Sequence, residues 1–69
     1  MPDDPQPLLY VERLDPMVRR WELMPGAVYA PSERLSAVDF ARSTHDSLGW
    51  TCRVVRIVGD RIAKILKVF

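Results

Sequence analysis

The stretch that decides the reading of this chain is Trp50-Thr51-Cys52-Arg53-Val54-Val55-Arg56-Ile57-Val58-Gly59-Asp60-Arg61-Ile62-Ala63-Lys64-Ile65-Leu66-Lys67-Val68-Phe69. β-branched residues dominate it, and Gly59-Asp60 has the composition of a two-residue hairpin turn. It therefore predicts two antiparallel strands, Trp50 to Val58 and Arg61 to Phe69. A two-residue turn sets Val58 opposite Arg61 and Trp50 opposite Phe69. Side chains alternate along a strand, so one face then carries Trp50, Cys52, Val54, Val58, Ala63, Ile65 and Phe69. The other carries Val55, Ile57, Ile62, Leu66 and Val68, mixed with Arg53 and Lys64. Both faces are substantially apolar, and a slip of one residue in register exchanges them.

Upstream of this hairpin lies the one helical pattern. Ser36 suits an N-cap, Asp39 three residues on suits the first turn, and Leu35 and Phe40 have the spacing of a hydrophobic staple. Ser32 is a rival cap that starts the helix a turn earlier. Ala37, Phe40, Ala41, Thr44 and Leu48 fall on one side at helical spacing, and Gly49 is placed to end the helix.

Further back, Leu8-Leu9-Tyr10-Val11-Glu12-Arg13-Leu14 suits a first strand. Asp15-Pro16 marks a turn, and Val18 to Leu23 suits a second strand. Pro25-Gly26 predicts a break, followed by a loop over residues 26–35 that contains Tyr29. Residues 1–7, with three prolines and two aspartates, read as a flexible arm. The expectation is a single α+β domain over residues 8–69, of order β-β-α-β-β, with one antiparallel sheet packed on one helix. Leu9, Val11, Trp21, Leu23, Phe40, Ala41, Leu48, Val54 and Ile65 are its expected core.

One helix covers one face of such a sheet, and the other face is ordinarily polar. Here an apolar stripe is left over. A second copy, a different protein or the 26–35 loop is expected to cover it. Tyr29, Val55, Ile57, Leu66 and Val68 are the candidate protein-binding residues.

Sixty-nine residues make one small domain with a marginal core. The single cysteine, Cys52, precludes an intrachain disulfide, and it reads as a small buried apolar residue in a reducing, cytoplasmic setting. The acidic, Pro-rich start does not resemble a secretory signal, and no apolar run is long enough to span a membrane. One histidine, His45, near the predicted helix end, and one cysteine do not make a metal site, and the three glycines write no phosphate loop. No catalytic constellation stands out, so the chain reads as neither an enzyme nor a cofactor binder. Charge is uneven: residues 1–49 hold five basic and eight acidic side chains, whereas residues 50–69 hold five basic and one acidic. Arg53, Arg56, Arg61, Lys64 and Lys67 are therefore the alternative, nucleic-acid-binding set, with Arg19 and Arg20 as possible additions. In the register above, Arg56 and Lys67 face away from Arg53 and Lys64, so this charge is divided between faces.

The stretch Thr51-Cys52-Arg53-Val54-Val55-Arg56-Ile57-Val58-Gly59-Asp60-Arg61-Ile62 resembles the last hairpin of the RelE/ParE toxin family, which would imply a ribosome-dependent ribonuclease or gyrase poison. More broadly, the strand pair, the helix opening Ser-Ala-Val-Asp-Phe-Ala (36–41) and the strand with Arg53-Val54-Val55-Arg56 are similar in layout to small bacteriophage and prophage accessory proteins. That resemblance implies a compact inhibitor or modulator of a host or phage protein.

Overall fold

The computed structural model describes residues 6–69, so most of the expected N-terminal arm, residues 1–5, lies outside the described residues. The chain forms β1 (Leu8–Asp15), β2 (Arg20–Tyr29), a 3-10 turn (Pro31–Glu33), α1 (Arg34–Leu48), β3 (Cys52–Val58) and β4 (Arg61–Val68). The four strands make one antiparallel sheet in the order β2-β1-β3-β4, and α1 packs on it. This is the α+β domain of β-β-α-β-β order that the sequence predicts.

The helix lies close to the sheet because its inward residues are small. Ala37 and Ala41, one turn apart, are fully buried, and Thr44 continues the stripe. They meet Leu9 and Val11 of β1, Ala27 of β2, and Cys52 and Val54 of β3, with Val38, Met24, Tyr29, Leu66 and Phe69 around the margin. A core of small side chains leaves the larger ones outside. Of the expected core, Leu9, Val11, Ala41 and Val54 are buried, while Leu23, Phe40, Leu48 and Ile65 are exposed and Trp21 is only half-covered.

The helix begins three residues earlier than a Ser36 cap predicts. Glu33 takes the cap position, and its carboxylate accepts from the Ala30 N–H at 2.9 Å. Leu35 is 80% exposed, so no staple with Phe40 forms. The C-terminal end follows expectation: Gly49 has φ +71° and donates its N–H to the His45 carbonyl at 2.8 Å.

β2 does not stop at Pro25-Gly26. It bulges there, with residues 24–27 opposite the single residue Val11 between the pairs Glu12–Leu23 and Tyr10–Val28, and it runs on to Tyr29. β2 is an edge strand, so Pro25 does not have to donate to a second neighbour. The expected 26–35 loop is thus half strand and half the start of the helical segment.

Candidate functional site: the open face and the basic margin

Directly paired residues of antiparallel strands project to the same side of a sheet, so the pairings sort every strand residue. Leu9, Val11, Cys52 and Val54 project toward α1. Leu8, Tyr10, Glu12 and Leu14 of β1 project to the other side. With them go Trp21, Leu23 and Val28 of β2, Arg53, Val55 and Ile57 of β3, and Ile62, Ile65 and Val68 of β4. No described element lies on that side, because α1 is on the other.

β4 owes its sorting to two bulges. Ile62 pairs with Ile57, Lys64 with Arg56, Ile65 with Val55, and Lys67 with Val54, which leaves Ala63 and Leu66 as extra residues. The expected pairing of Trp50 with Phe69 is corrected by these insertions. Phe69 instead exchanges both backbone hydrogen bonds with Cys52, at 2.7 and 3.3 Å. The strand then reads as three triplets, Arg61-Ile62-Ala63, Lys64-Ile65-Leu66 and Lys67-Val68-Phe69. Each opens with a cation on the helix side and follows with a β-branched residue on the open side.

The expected protein-binding residues divide accordingly. Val55 and Ile57 belong to the open face but lie at its centre, where their neighbours bury them; Val68 is on it and exposed. Leu66 is a correction: as a bulge residue it turns toward α1 and packs against the helix-side core. Tyr29 is another. It ends β2 rather than lying in a loop, and its ring sits on the helix side, 6.5 Å from that of Phe40. The 26–35 segment therefore does not fold over the open face. Sequence reasoning missed Leu8, Tyr10, Leu14 and Val28 as face residues; strand alternation around buried Leu9 and Val11 was the available signal.

At the centre of the apolar face sits one ion pair. Arg53 donates through Nε to Glu12 at 2.8 Å, both side chains are nearly nine-tenths covered, and the guanidinium stacks 4.2 Å over the Trp21 ring. The face therefore carries no net charge there, and Arg53 is not free for a nucleic acid as the sequence suggested. Arg56, Lys64 and Lys67 all fall on the helix side, which corrects the expected division of Lys64 from Arg56 and Lys67. Arg61, paired with Val58, joins them. All four are exposed.

His45 has a structural partner. Its Nδ1 and the Trp50 carbonyl are 2.8 Å apart, a contact in which an Nδ1–H donates and ties the helix end to the segment that leads into β3. Burial pushes the Cys52 thiol pKa up, and nearby Arg13 opposes this in part. Among the described residues no cluster of His, Cys, Asp and Glu is placed to hold a metal ion, no pocket opens, and no helix is long and apolar enough to cross a membrane. The chain matches no family model, no curated protein and no solved structure.

Proposed function

We propose that this chain is a non-catalytic protein-binding module that works through the open face of its sheet. The observation that carries the reading is the apolar surface of Leu8, Leu23, Val28, Ile62, Ile65 and Val68, each at least 36% exposed, around buried Val55 and Ile57. Four strands at about 4.8 Å spacing and about 26 Å of strand length make a flat area of roughly 500 Å². The face as a whole, with the Glu12–Arg53 pair included, is thus of the size of the apolar patches, roughly 300–600 Å², that monomers leave bare. Two such faces together reach the roughly 1,000 Å² at which specific interfaces begin.

The occupant that fits is a second copy of the chain, packed sheet on sheet at about 10 Å. The paired charges of Glu12 and Arg53 leave nothing at the centre that calls for a charged partner. Both sheet edges discourage strand addition: β2 is bulged at Pro25-Gly26 and β4 is bulged twice and carries lysines. An inhibitor or modulator, the role implied by the phage-protein layout, would use the same face against a target.

A photo-crosslinking residue at Val68 tests this in cells and with purified protein. Self-crosslinking to twice the chain mass supports the second copy. Crosslinking to one different protein keeps the face as a binding site and replaces its occupant. No crosslink in either setting overturns the reading.

A further inference from the structure

The helix side of β4 offers a second surface, independent of the open face. Arg61, Lys64 and Lys67 pair with Val58, Arg56 and Val54, so successive cations are separated by two residues of β3. That makes them about 6.6 Å apart along the strand. Arg56 stands directly across from Lys64 and doubles the middle of the row. Arg42 of α1 extends it: its guanidinium lies 5.8 Å from the Phe69 ring, which the Lys67 ammonium approaches at 5.9 Å. Among the described residues the two ion pairs, Arg13–Glu22 and Arg53–Glu12, involve none of these five cations.

We infer that this row binds the phosphate backbone of a nucleic-acid strand. A line of evenly spaced cations matches a linear polyanion whose charges repeat on a similar scale. An anionic membrane fits it less well, because the exposed β-branched residues of the same strand, Ile62, Ile65 and Val68, point to the opposite side of the sheet and cannot enter a bilayer beside the cations, and Leu66 is packed against the helix-side core. Base readout is not built in. Phe69 is only partly exposed between two cations, and no Asn or Gln lies among residues 42–69 to read base edges. Binding is therefore expected to be indifferent to sequence and governed by counterion release.

The test is anisotropy of a labelled oligo-dT strand titrated with the full chain over a salt series. With roughly four phosphates neutralised, the slope of log affinity against log salt is expected near −3, at about 0.7 per phosphate of a single strand. The double variant Lys64→Ala, Lys67→Ala is expected to bind roughly tenfold more weakly at low salt, with a slope shallower by about 1 to 2. Both lysines are exposed, and an unchanged circular dichroism melt certifies the fold. Arg20→Gln, on the far edge strand, is expected to bind like the parent. Absence of oligonucleotide binding at low salt overturns the inference. Equal loss in Arg20→Gln does so too, since it would show charge without a site. So does binding to phosphatidylserine vesicles without binding to oligo-dT.

Discussion

Arg53 and Arg56 lie three residues apart on one strand, yet the fold treats them oppositely. Arg53 is held by Glu12 and Trp21 on the open face, while Arg56 is exposed and outside any ion pair among the described residues. Arg53→Ala leaves a largely covered carboxylate without its donor and is expected to cost about 2–3 kcal/mol, the scale of a hydrogen bond to a charged group. Arg56→Ala is expected to stay within about 0.5 kcal/mol. Urea denaturation of both variants checks the contrast; equal effects would contradict the assigned faces. Cys52 supplies a pH dependence. Burial raises its thiol pKa above the ordinary 9.0, so the folded state holds the proton more tightly than the unfolded state. This contribution is complete below pH 9.0 and is lost as the pH rises through the higher folded value. Cys52→Ala is therefore expected to flatten the fall in stability on the alkaline side, as measured by denaturation at several pH values. Cys52 was legible as a buried thiol because a lone cysteine among β-branched residues packs as a small hydrophobe. The pairing of Arg53 was not legible, since Glu12 lies 41 residues away.

At the scale of elements, β4 shows where a two-residue period misleads. Strict alternation puts Leu66 on the open face and Ile65 in the core; the bulges do the reverse. The three triplets were visible as a repeat of cation and β-branched residue, but nothing local says that a strand will bulge twice. Leu66→Asp is expected to cost about 2 kcal/mol or more, because it places a charge against the helix-side core. Ile65→Asp is expected to cost less than about 1 kcal/mol in the isolated chain, because Ile65 is 48% exposed. Thermal melts of dilute protein distinguish the two, and the reversed order would contradict the bulged register. β2 teaches a related lesson. Pro25-Gly26 breaks a central strand but only bulges an edge strand, and edge position is set by the sheet order, not by local sequence. The helix was easier: its buried stripe of Ala37, Ala41 and Thr44 and its Gly49 stop follow from spacing and left-handed backbone alone.

For the whole molecule, the surplus of apolar strand residues was the most legible feature, because one helix cannot cover both faces of a four-stranded sheet. Which residues make up the surplus depended on register and was only partly legible. Val55, Ile57 and Val68 were placed on the open face, while Leu66 and Tyr29 belong with the helix. The same sheet turns a row of cations to one side and to the other an apolar plane whose two charges, Glu12 and Arg53, pair with each other, so a sheet-on-sheet pair of chains would leave both basic rows facing outward. The most direct measurement is sedimentation equilibrium of the parent chain and of the double variant Ile65→Asp, Val68→Asp over micromolar to millimolar loading. The parent is expected to approach twice 7.9 kDa as concentration rises. The variant is expected to remain a folded monomer throughout. A parent chain that stays monomeric over the whole range, or a variant that still pairs, would contradict the open face as the site where two copies meet.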